Sequence, residues 1–223
     1  MARSMSVALL EQLQLHQEWA ETIGKAGKQL FLEGADLTEL DLREQNLTEA
    51  HLPEVRFDYA HLQKIDFYSA NLASASFLSA NLSQANMSKA NLDYAILKNA
   101  NLQGISAIRA TFYQADLQGA DMTNANLLKA FFVKANLEYA VLCGAELDRA
   151  SLEADLSYAN LSGANLTGAS LNGARLVGAI LHNVKGIDTV LADWIDVGSP
   201  GAPLRLEGEQ LRAWLARAST GEA

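Results

Sequence analysis

From Leu32 to Leu181 a large apolar residue returns at every fifth position with almost no interruption. Ala70-Asn71-Leu72-Ala73-Ser74, Ala80-Asn81-Leu82-Ser83-Gln84 and Ala90-Asn91-Leu92-Asp93-Tyr94 are typical copies. With the large residue labelled i, each unit reads i−2, i−1, i, i+1, i+2. A period of five matches neither the 3.6 of a helix nor the 2 of a strand, so either element would scatter these leucines over every side. The chain must turn once per unit. If i−2 and i point inward and the other three face out or form a corner, four units close a coil of twenty residues. Stacked coils then align every twentieth residue in a column, at the ~4.8 Å separation of neighbouring strands.

Counting from Leu32 gives 25 units to Leu152 and six more from Leu156 to Leu181. Phe57 and Phe77, and likewise Phe112 and Phe132, are one coil apart and are expected to stack. Ala107 lacks the usual bulk at i, and Ile105 in the same unit supplies it at i−2, as a close-packed interior requires. Gly104, Gly119, Gly144, Gly163, Gly168, Gly173 and Gly178 all hold i+2, the third residue of a turn beginning at i, where a type II turn needs positive φ. Type II corners are expected in the last coils, and a less uniform set where Tyr59, Tyr94 and Tyr139 hold i+2. Between Leu152 and Leu156 one unit is a residue short, which reads as a tightened corner or as a kink that re-aims one face.

The sequence closely resembles the pentapeptide-repeat family, whose consensus is A-(D/N)-L-x-x. The stretch around His16-Gln17-Glu18-Trp19, running through Gly24 and Gly27 into the first repeats, is similar to the leader helix of bacterial members. The resemblance implies an all-β solenoid: a right-handed quadrilateral β-helix of about eight coils with α-helical caps at both ends. The expected division is residues 1–29 for the amino-terminal capping helix, 30–184 for the β-helix and 185–223 for a linker and carboxyl-terminal capping helix. Leu9, Leu10, Leu13, Trp19, Ala20 and Ile23 recur at helical spacing and are expected on one side of the first helix. Gly198-Ser199-Pro200-Gly201-Ala202-Pro203 reads as a linker, and Leu211, Trp214, Leu215 and Ala218 place a second helix within Leu206 to Ala218.

No enzyme is expected, and no catalytic, cofactor or metal residue is assigned. The four histidines do not cluster, the single Cys143 has no second cysteine to make a metal or redox pair, and no phosphate loop or nucleophile elbow occurs. A net charge of −9 opposes direct binding to nucleic acid or to anionic membranes, both of which need positive charge. The short apolar run before Glu11 is too brief for a signal peptide, and no stretch reaches the ~18–20 apolar residues of a membrane span, so a cytoplasmic protein is expected.

Two outward features stand apart. Glu39, Glu44, Glu49 and Glu54 hold i+2 in four successive units, giving a candidate acidic patch around one early coil. Ile108, Tyr113, Leu128, Phe131 and Val133 hold outward positions around one corner of two adjacent coils, giving a candidate protein-interaction patch. The expected function is a non-enzymatic structural or interaction module presenting a rigid rod to a protein partner, as a monomer or as a dimer through its carboxyl-terminal end. The resemblance supplies an alternative, since quinolone-resistance members mimic duplex DNA and bind type II topoisomerases.

Overall fold

The computed structural model describes residues 5–199 and 201–221. The first four residues of the opening run, Pro200 of the linker and the last two residues lie outside the described residues. The organising feature is a ladder of parallel bridges between i−1 positions. It runs up four columns, such as His51 to Asn71 to Asn91 to Thr111, with partners 20 residues apart over most of its length.

The consensus follows from where each backbone N–H goes. In the unit centred on Leu72, the N–H at i donates to Asn91 of the next coil (2.8 Å) and that at i+2 to Asp93 (2.8 Å). The N–H at i−1 donates to Ala50 of the preceding coil (2.9 Å), and that of Ala75, which opens the next unit, closes the turn onto Leu72 (3.0 Å). Only the N–H at i+1 is left over, and the Asn71 side chain at i−1 accepts it through Oδ1 at 3.2 Å. Asn46, Asp66, Asn81, Asp116 and Asn160 do the same in their own units. Asn or Asp at i−1 therefore satisfies the one backbone donor that the coil leaves unpaired. Pro53 obeys the same rule from the other side, because it stands at i+1 behind His51 and has no N–H to satisfy.

The corners are more uniform than the side chains suggest. The i+2 residues from Glu39 to Asn183 have left-handed φ, from 53° at Gln114 to 73° at Gly173, with Ala154 in the short unit as the exception. Tyr59, Tyr94 and Tyr139 are among them, at 58°, 61° and 60°. With the i to i+3 hydrogen bond, this is the φ signature of a type II turn, so the expected variation at the tyrosines is absent. Ladder bonds on both sides of each corner impose one geometry, and the cost of left-handed φ, roughly 1–2 kcal/mol for a residue with a Cβ, is carried by them. At the short unit, Ala154 N–H donates to Leu152 at 2.8 Å, making a three-residue turn. Bridges across it, such as Asn136 to Asp155, therefore span 19 residues, and the ladder continues unbroken.

Residues i−2 and i fill the interior; Phe57 and Phe77 stack at 5.0 Å and Phe112 and Phe132 at 4.7 Å between ring centroids. Ile105 and Ala107 are both buried. The ladder also passes the expected boundary at 184, with Lys185, Leu191 and Asp196 still pairing to earlier coils. An extra residue is absorbed by the 3-10 turn Ile187–Thr189, so Ser170 pairs with Leu191 and Arg175 with Asp196 at a separation of 21.

Helix α1, Val7–Glu21, is capped by the Ser6 hydroxyl, which accepts the Leu9 N–H at 3.2 Å. Its buried residues are Leu9, Leu13 and His16. Leu10 is 41% exposed, and Ile23, 88% exposed, lies beyond the helix end at Glu21 with φ 55°, so the expected apolar side is narrower and displaced. The reason is a polar one: Leu30 in the first coil presents its N–H to the helix, and His16 Nδ1 accepts it at 3.0 Å. His16 Nε2 has no hydrogen-bond partner among the described residues. Burial pushes the His16 imidazole below its ordinary 6.5, outweighing the opposing pull of the Thr48 backbone. The unfolded chain then binds a proton that the folded one refuses, so stability falls as pH drops below 6.5 toward the folded value. Urea unfolding at pH 7.5 and 5.0 measures this; in His16→Gln the part of the pH dependence due to this group is expected to vanish.

At the other end, strand β1, Trp194–Asp196, pairs with the ladder through Asp196 and antiparallel with β2, Arg205–Glu207, so β2 closes an edge that would otherwise be unpaired. Helix α2, Gly208–Thr220, then folds back, burying Leu211, Leu215 and Ala218. It starts two residues later than the Leu206 limit because Leu206 is held in the strand opposite Ile195.

Candidate interaction surface

The five outward apolar residues fall on two neighbouring corner columns and the strand position between them. Ile108 and Leu128 are consecutive in one column, where Arg109 N–H donates to the Leu128 carbonyl at 3.0 Å. Tyr113 and Val133 are consecutive in the next, where Gln114 N–H donates to Val133 at 3.1 Å. Phe131 bridges to Thr111 and Ser151 between them and is 39% exposed. The other four are half-buried. Tyr113 is already engaged: Lys134 Nζ donates to its hydroxyl at 3.3 Å and lies over its ring, and Tyr94 meets it edge-on at 5.6 Å.

The four glutamates are all exposed. Their N–H groups donate to Asp58, Gln63, Tyr68 and Ala73, one on each corner column. Only Glu44 makes an ion pair among the described residues, to Lys64 at 3.5 Å, and a pair so exposed contributes little.

One charged feature escapes a reading along the chain. Lys89, Arg109, Lys129 and Arg149 hold i+2 in four successive coils of a single column, each donating its N–H to the coil above. All four are exposed. Folding the sequence at twenty residues would have aligned them; charge counted over consecutive residues does not. Buried Asp58 is the other surprise, and its role is structural: it accepts from the Ser76 hydroxyl and from the Leu78 N–H at 3.1 Å. That serves a unit whose i−1 residue is not Asn or Asp. Asp93 does the same for the Tyr113 N–H at 3.0 Å.

Among the described residues no group of His, Cys, Asp and Glu is placed to hold a metal, and no helix is long and apolar enough to cross a membrane. A groove of about 780 Å³ lies between α2 and the last turns of the ladder, lined by Ile187, Leu191, Leu211 and Leu215 with Asp188, Asp193 and Arg212 as its charged groups. No histidine, cysteine or hydroxyl side chain lines it.

The family described as pentapeptide repeats matches in 8 copies, over residues 32–63, 54–88, 65–104, 85–124, 108–138 and 153–185. No curated protein matches the chain. Among solved structures, HetL, a pentapeptide repeat protein involved in heterocyst differentiation regulation from the cyanobacterium Nostoc sp. Strain PCC 7120, is 30% identical. The match covers 85% of this chain and 98% of that one, with a TM-score of 0.29. Rfr23 from the cyanobacterium Cyanothece 51142 is 29% identical over 51% of this chain and 84% of that one, TM-score 0.20. A trypsin-treated form of QnrB1, a plasmid-mediated fluoroquinolone resistance protein, is 19% identical over 74% of this chain and 90% of that one, TM-score 0.48. The superpositions are loose, and assignment rests on the repeat matches and on the identity to HetL across nearly its whole length. The chain belongs to the pentapeptide-repeat family.

Proposed function

We propose that the chain is an interaction module: a right-handed, four-sided β-helix of about eight coils, capped by α1 and α2, that presents a rigid face to a protein partner. Pentapeptide-repeat proteins are structural and interaction modules, and this chain is not an enzyme. The observation that carries the reading is the contiguous set Ile108, Leu128, Phe131 and Val133 on a rod whose interior is already filled. Outward side chains add nothing to that core, and a contiguous apolar patch is where a partner gains from excluding water. The reading places the protein in the cytoplasm, where the free Cys143 stays reduced. It allows a monomer, or a dimer through the carboxyl-terminal elements.

The triple variant Ile108→Ser, Leu128→Ser and Phe131→Ser tests the patch. Stability is expected to change by about 1 kcal/mol or less, because none of the three belongs to the interior. Proteins retained from a lysate of the native host on the immobilised chain are expected to be lost. A folded variant with an unchanged set of partners would remove the patch. Mimicry of duplex DNA is the second reading and draws on the −9 charge and the four glutamates; the exposed basic column from Lys89 to Arg149 counts against it.

A further inference from the structure

The basic column and the apolar patch lie side by side. Lys89, Arg109, Lys129 and Arg149 climb one corner at ~4.8 Å per coil, spanning about 14 Å. Ile108 and Leu128 precede two of them on the same corner, Phe131 and Val133 follow across the face, and Lys134 stands beyond at the next corner. Of the six basic residues between Phe67 and Leu152 only Lys98 lies elsewhere. Arg109 and Lys129 make no ion pair among the described residues, and Arg149 has only a 3.7 Å contact with its neighbour Asp148. Like charges stacked in neighbouring strands repel, and the one ion pair that offsets them among the described residues is the contact of Arg149 with Asp148.

We infer that this face binds an acidic amphipathic helix of a protein partner, lying along the rod. The inference rests on the interaction-module reading and names the chemistry of its partner. Along a helix, the Cβ atoms of residues at i and i+3 or i+4 are about 5–6 Å apart, close to the ~4.8 Å rise between coils. One row of acids therefore meets the basic column position by position. An apolar stripe beside that row, also at three- and four-residue steps, falls on Ile108, Leu128 and Phe131.

Two other occupants fit less well. A nucleic acid phosphate ladder has nothing to place on four apolar side chains. A second copy of the chain offers its densest acids, Glu39, Glu44, Glu49 and Glu54, one to a corner rather than in a row.

The test uses the full chain and a fluorescein-labelled synthetic helix of about five turns, with glutamates at i and i+4 beside a leucine stripe. A matched helix carries lysine for each glutamate. Anisotropy is expected to show saturable binding of the glutamate helix, weakened about tenfold by the pair Arg109→Glu and Lys129→Glu, and weakened again by salt. The pair Ile108→Ser and Leu128→Ser is expected to weaken it as well, with no added salt dependence. Absence of binding at about 1 mM peptide, where an interface this small should register, overturns the inference. So does equal binding of the lysine helix, tighter binding of a duplex oligonucleotide, or a dimer by light scattering that the pair Arg109→Glu and Lys129→Glu dissociates. If the glutamate helix fails while lysate partners still depend on Ile108, Leu128 and Phe131, the interaction module stands without this partner. If both fail, both readings fall.

Discussion

Phe112→Ala is expected to lower the unfolding free energy by about 3–5 kcal/mol, the range for deleting a fully buried phenyl ring. The ring is 0% exposed and stacked on Phe132 at 4.7 Å and 5°. Its surroundings cannot collapse into the gap. Phe112 N–H donates to Phe131 at 2.8 Å in the coil above, and Thr111 N–H donates to Ala90 at 3.0 Å in the coil below, so the backbone is pinned from both sides. Phe112→Leu restores the commonest centre of the repeat and is expected to cost about 1.5 kcal/mol or less. Urea unfolding of the three proteins measures the difference. Because each coil touches only its neighbours, hydrogen exchange in Phe112→Ala is expected to accelerate first in the coils holding Phe112 and Phe132 and to spread outward. A Phe112→Ala protein within about 1 kcal/mol of the parent would mean that the interior is not close-packed there.

The second large effect is expected at Gly27, where α1 meets the first coil. Gly27 has φ +72°, and a Cβ there would lie 2.2 Å from the Leu15 carbonyl oxygen and 2.5 Å from the Trp19 nitrogen. Both are backbone atoms of α1, so no side-chain rotation relieves the clash. The helix has to move away, taking with it the Lys28 to Leu15 hydrogen bond (2.9 Å) and the Leu30 to His16 bond (3.0 Å). Gly27→Ala is expected to cost about 2–4 kcal/mol by adding a steric clash to left-handed strain. It should also expose α1 to exchange. Gly163→Ala separates the two contributions, since Gly163 has φ +69° but nothing within 4 Å of a Cβ; it is expected to cost only about 1 kcal/mol. Equal melting temperatures for the two variants would contradict the tight seat of α1.

What could be read from the sequence was whatever depends on the period alone. Spacing by twenties stacked Phe57 on Phe77 and Phe112 on Phe132, and missing bulk at Ala107 pointed to Ile105. The role of Asn and Asp at i−1 was not legible, because it answers to a backbone donor at i+1 that becomes visible only once every other donor in the coil has a partner. Apolar spacing alone misorients α1 for a related reason. Hydrophobic spacing favours Leu10, whereas the open coil presents Leu30 N–H and demands an acceptor, which His16 provides; Ile23 lies beyond the helix end, in left-handed conformation. The tyrosine corners match the others because the ladder, and not side-chain preference, fixes their φ. The apolar residues around Phe131 could be placed on one face from the period, but the Lys89 to Arg149 column beside them requires reading across coils.

The four bridge columns give chain length a second meaning. With four bridge columns, a five-residue insertion within the ladder would move everything after it to the next column. An insertion of twenty would leave the bearing of α2 relative to α1 unchanged and move them apart by one ~4.8 Å step. The short turn at Ala154 and the extra residue near Ile187 act in opposite senses, so that Ser151 and Leu191, two coils apart, are again separated by forty residues. The chain behaves as a dial as much as a ruler, and the column that each end joins is encoded in residue count modulo twenty.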